Sequence, residues 1–109
     1  MDTETIERVT ETLRETAARV GYTLTEVIVF GSRVRDDYRP ESDVDLLVVS
    51  PDFEGVPAYK RPKLFYRYWD YDTLPDPEFV CLTPAEFEEQ RDLDPHIVNT
   101  AVDEGVSVA

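Results

Sequence analysis

Two short apolar runs, each flanked by a chemically distinctive pair, constrain this chain more than any other feature. Val27-Ile28-Val29-Phe30 leads directly into Gly31-Ser32, and Ser42-Asp43-Val44-Asp45 leads directly into Leu46-Leu47-Val48-Val49. Both runs are β-branched or apolar and too short for a helix, so they read as buried strands. Asp43 and Asp45, two apart at the start of the second strand, then share one face of it. Carboxylates held that close repel, and one of them resists ionising unless a cation lies between them. Magnesium suits such a pair, because it takes hard oxygen ligands and leaves room for waters and phosphates. Gly31 permits a turn with close backbone approach, and exposed amides with the Ser32 hydroxyl are suited to a phosphate.

The rest of the chain supplies layers around these strands. Ile6, Val9, Leu13, Ala17 and Val20 recur at helical spacing, and Gly21 stands where a left-handed cap would end that helix. A short helix is expected within 32–38, a loop at Arg39-Pro40-Glu41, and a second loop from Pro51 to Pro57 around Gly55. Pro62 suits the first turn of a helix carrying Leu64, Phe65, Tyr68 and Trp69 on one side. A turn-rich stretch from Asp70 to Pro77 precedes a third strand, Glu78 to Leu82. Thr83-Pro84-Ala85-Glu86 combines a capping threonine, an N-terminal proline and a glutamate three residues on, with Leu82 and Phe87 placed as a staple. Asp94-Pro95 opens a last helix with Ile97, Val98, Ala101 and Val102 inward. Gly105 closes it, and Val106 to Val108 form a terminal strand. The expected fold is α/β (α+β): a small mixed β-sheet packed with helices, as one domain over residues 1–109. Strands this few and short leave part of one face for a ligand or partner.

Charge narrows the setting. The 109 residues hold 24 acidic and 11 basic side chains, a formal net charge of -13, and only Lys60 and Lys63 are lysines. That surface repels nucleic-acid phosphates, so direct nucleic-acid binding is not expected. It also repels a triphosphate, which a metal ion and local basic groups must offset. Few lysines and many carboxylates are similar to halophilic proteins, for which a short screening length removes the repulsion. A haloarchaeal origin is the reading, with an ordinary acidic bacterial protein as the alternative. One cysteine, Cys81, forms no internal disulfide, and no apolar run is long enough for a membrane span. A cytoplasmic location is the simplest expectation.

The pattern GSRVRDDYRPESDVDLLVV resembles the nucleotidyltransferase superfamily that shares its palm-like domain with DNA polymerase β. Its form, Gly-Ser-Arg-x-Arg and Ser-Asp-x-Asp-Leu, is similar to the minimal nucleotidyltransferases of prokaryotes, and the likeness runs from the first helix to the helix at Thr83. The resemblance implies a third carboxylate on a later strand, for which Glu78 is the candidate, departing from the usual aspartate. Asp76 and Asp72 are fallbacks, although Pro75 and Pro77 take Asp76 out of a regular strand. It further implies ATP as substrate and two magnesium ions bridging Asp43, Asp45 and Glu78. Ser32 beside Gly31 would hold a terminal phosphate, and Arg33 or Arg35 would steady the transferring group. Each arginine is equally placed for a surface ion pair with Asp36 or Asp37. Small members of this kind act as antitoxins, transferring AMP to a tyrosine hydroxyl of a partner HEPN-domain ribonuclease toxin in a hetero-oligomer. Two alternatives stay open: a partner-binding module without catalysis, and a small-molecule transferase of the aminoglycoside-modifying type.

Lys60, Arg61, Lys63 and Arg67 interleave with Tyr59, Phe65, Tyr66 and Tyr68. The pattern reads as a helix with a packed aromatic face and a solvated basic face, against the alternative of a site for phosphate, RNA or an acidic partner. His96 and Cys81 have no adjacent partner of the sort that a nucleophile or metal site needs, and read as structural.

Overall fold

The computed structural model describes residues 3–30, 43–91, 101–102 and 105–108. Helix α1 (Thr3–Val20) buries Val9, Leu13, Thr16 and Ala17 along one stripe. It ends at Gly21, whose φ of +80° is a conformation that only glycine adopts without strain. Strands β1 (Glu26–Phe30) and β2 (Val44–Val49) follow. Two 3₁₀ turns and the short helix α2 (Lys63–Arg67) cross over to β3 (Pro77–Leu82). Helix α3 (Pro84–Gln90), a helical pair at 101–102 and strand β4 (Val106–Ser107) complete the described chain.

The sheet runs β3-β2-β1-β4 and is mixed. β1 is antiparallel to both of its neighbours, while β2 and β3 are parallel. The parallel pair is what obliges the long crossover through α2. Both faces of β1 and β2 are covered, which is why these strands are continuously apolar rather than alternating. One face carries Val27, Val29, Val44, Leu46, Val48, Phe79 and Cys81 against α1 and α2, with Phe53, Phe65 and Trp69 filling the layer. Edge-on ring contacts such as Trp69 on Phe79 knit that side. The other face carries Ile28, Phe30, Leu47, Val49 and Leu82, covered by Phe87 of α3 and by Ala101.

The predicted capping box forms: Thr83 Oγ1 accepts from the Glu86 N–H and Glu86 accepts from the Thr83 N–H. Leu82 and Phe87 share the second cluster, as a staple requires. The terminal strand is present, with the Gly105 N–H donating to the Ala101 carbonyl at 2.8 Å just before it. Two expectations need correction. Helix α2 spans only five residues, with Pro62 before its first residue rather than within it. The Pro51–Pro57 loop contains a 3₁₀ turn, capped by Ser50, that buries Phe53. The helix expected at 32–38, the loop at 39–41 and the opening of the last helix at Asp94 lie outside the described residues.

Candidate active site

Register decides which carboxylates meet. In the antiparallel pairing Asp45 stands opposite Phe30, and in the parallel pairing it stands beside Glu78. All three belong to the face that α3 covers, since Leu47 and Val49, two and four residues on from Asp45, lie in the cluster with Phe87. The register is held by the Val44 N–H, which donates to the Asp76 carbonyl at 2.8 Å. Asp43 precedes β2 and is exposed, Asp45 is half-buried, and Glu78 is exposed.

The parallel register places the carboxyl groups of Asp45 and Glu78 on adjacent strands at the same level. Asp45 is accordingly pushed up from 3.8 to about 6. Burial is the main cause, followed by the charge of Glu78, the bond to Glu78 and the charge of Asp43. Asp45 thus stands beside Glu78 and also feels the charge of Asp43. Among the described residues no three His, Cys, Asp or Glu side chains are gathered closely enough to form a metal cage. Chemically, Asp43, Asp45 and Glu78 offer hard carboxylate oxygens, which suit magnesium better than a soft metal.

Gly31, Ser32, Arg33 and Arg35 lie outside the described residues. The described residue before them is Phe30, the register partner of Asp45. Of the fallback acids, neither is the register partner of Asp45. Asp76 contributes its backbone carbonyl to the register, and Asp72 lies in a turn where its N–H donates to the Asp70 carboxylate.

The basic segment departs from its expected reading. Lys60, Lys63 and Arg67 are exposed, but Arg61 is only 9% exposed. Its guanidinium donates to the Val56 carbonyl at 2.9 Å, to the Cys81 carbonyl at 3.1 Å and to Glu86 at 2.6 Å. It therefore locks the crossover loop to the far end of β3 and to the α3 cap. Tyr59 is not packed but 72% exposed, with Lys60 over its ring. No local pattern flags Arg61, because its acidic partner lies 25 residues away. Cys81 sits buried in the core, where desolvation pushes its thiol up to about 12. His96 lies outside the described residues.

With this geometry in place, comparison with known proteins is informative. The nucleotidyltransferase domain family matches residues 9–108. The chain belongs to that family. Its fold is similar to a crystal structure from Sulfolobus solfataricus described as a "putative nucleotidyltransferase". The TM-score is 0.57 and the identity 27%, covering 79% of this chain and 77% of that one. No curated protein matches the chain. The small α+β fold with a four-stranded mixed sheet is thus a nucleotidyltransferase fold, and the carboxylate pair lies within the matched span. Among the described residues no helix is long and apolar enough to cross a membrane.

Proposed function

We propose that this nucleotidyltransferase domain transfers AMP from ATP to a hydroxyl group, with a tyrosine of a partner HEPN-domain ribonuclease as the acceptor. The observation that carries the catalytic reading is the register of β2 against β3, which sets Glu78 beside Asp45. A domain that only masked its partner would have no need to set two carboxyl groups side by side on one face of the sheet.

Asp43, Asp45 and Glu78 would hold the magnesium ions. When bound, these supply positive charge for the triphosphate and lower the pKa of the attacking hydroxyl. Glu78, on the exposed edge of the pair, takes the proton from the acceptor oxygen as that oxygen forms its bond to the α-phosphorus. The bond from the α-phosphorus to the bridging oxygen breaks, and pyrophosphate leaves with its electron pair. Ser32 with the Gly31 backbone holds the terminal phosphate, and Arg33 or Arg35 neutralises charge on the group in transit.

The test is transfer of labelled AMP from ATP, with magnesium and the candidate partner, in low and in molar salt. Both salt conditions matter because a chain of net charge -13 repels ATP least when screening is strong. Label on the partner that disappears with Asp43→Asn and Asp45→Asn is the expected result. Equal transfer by wild type and both variants, or none by wild type in either salt, overturns the reading.

A further inference from the structure

A groove runs along α1 on the side of the sheet edge formed by β4, away from the carboxylates. Its first part is a cavity of about 600 Å³ between Ile6 and Arg14 of α1 and Val106 and Val108 of the edge, with Glu7 and Glu11 at its rim. A second cavity of about 380 Å³ shares Arg14 and continues past Ala17 to Tyr22 and Leu24. The floor is apolar and incompletely covered: Val106 is 39% exposed, and Tyr22, Leu24 and Val108 are half-buried against the main core. From Ile6 to Ala18 the groove follows α1 for about 18 Å at the rise of an α-helix. That is the length of about three helical turns in a partner.

Charge selects the occupant. Glu7 and Glu11 line the rim, Glu4 and Glu15 extend the exposed acidic side of α1, and Glu26 flanks β4, where it accepts from the Ser107 hydroxyl. Arg14 is the one basic group between the two cavities. A second copy of this chain would bring another net charge of -13 onto the same face, which opposes self-association. We infer that the groove docks a basic amphipathic helix of a partner protein, with an apolar stripe on the Val106–Val108 floor and Lys or Arg facing Glu7 and Glu11. Docking there leaves the carboxylate face open. The inference shares with the proposed function only the existence of a protein partner, since binding is measured without any transfer.

The probe is a labelled 14-residue peptide with leucine at helical i, i+3, i+4, i+7 spacing and lysine on its flanks, titrated by fluorescence anisotropy. A scrambled peptide and a glutamate-flanked peptide are the controls. The patterned basic peptide should bind at least tenfold more tightly than either control and weaken as salt rises. Glu7→Lys with Glu11→Lys, both on the surface of α1, should weaken it at least tenfold while thermal unfolding stays unchanged. Asp45→Asn should leave peptide binding as it is, which separates failure of docking from failure of catalysis. Equal binding of patterned and scrambled peptides overturns the inference, as does indifference to the two charge reversals. Self-association that the charge reversals strengthen would assign the groove to a second copy and also overturn it.

Discussion

The burial of Asp45 beside Glu78 makes an unusual demand on stability, and Asp45→Asn measures it. A carboxyl group moved from 3.8 to about 6 carries about 3 kcal/mol of unfavourable free energy when ionised at neutral pH. Asp45 is only half-buried, so solvent screening reduces that to about 1–2 kcal/mol. The sign follows from proton uptake. Between pH 3.8 and about 6 the folded chain binds more protons at this site than the unfolded chain does. The contribution of Asp45 to stability therefore falls as pH rises through that window. Asparagine keeps the shape of the side chain and removes its charge. At pH 7.5, without divalent ions, Asp45→Asn should stabilise the fold by about 1–2 kcal/mol in urea unfolding, and the gain should shrink towards zero below pH 4. The same variant should lose transfer activity. Adding magnesium should stabilise wild type and leave the variant nearly unchanged. A variant less stable than wild type at pH 7.5, or a difference independent of pH, would refute the argument that the pair is held against its own repulsion.

Arg61→Ala should cost about 3 kcal/mol in urea unfolding. It strands the Val56 and Cys81 carbonyls, although Glu86, with its side chain 38% exposed, can rehydrate. Arg61→Lys should recover only part of this, because an ammonium does not span the three acceptors. Gly105→Ala should cost about 2 kcal/mol by the same assay. A Cβ there would overlap the Ala101 carbonyl and the Ile28 side chain and come within 2.9 Å of the Val29 carbonyl, none of which can move freely. Cys81, buried and pushed up to about 12, should resist thiol reagents at pH 8 until urea unfolds the chain, so that labelling tracks unfolding. Raising KCl from 0.1 to about 2 M should raise the thermal midpoint, as screening relieves repulsion among the excess carboxylates. A flat response would remove the argument for a high-salt setting.

Much of the architecture was legible because its signals are local. Gly21 terminates α1 by backbone sterics alone, and Thr83 with Glu86 satisfies its own helix start within one turn. The strands announce themselves as apolar runs because they are buried on both faces. The strand expected to begin at Asp43 begins at Val44, so the two-residue repeat of the strand places Asp45 but not Asp43. Strand register is different, since it is fixed by pairings between distant segments. Nothing between residues 45 and 78 states that Glu78 rather than Asp76 or Asp72 will stand beside Asp45; the parallel pairing decides it. Arg61 looked like one more surface charge, and only the approach of Cys81 and Glu86 across the crossover turned it into a buried clamp. The groove beside β4 was equally invisible, because it exists only where the last strand meets the first helix. By itself the sequence determined which groups could do chemistry and where α1 ends and α3 begins, since those follow from bonding within a few residues. The tertiary structure alone decided which of those groups meet, because contact across the sheet depends on register and on what the crossover carries past.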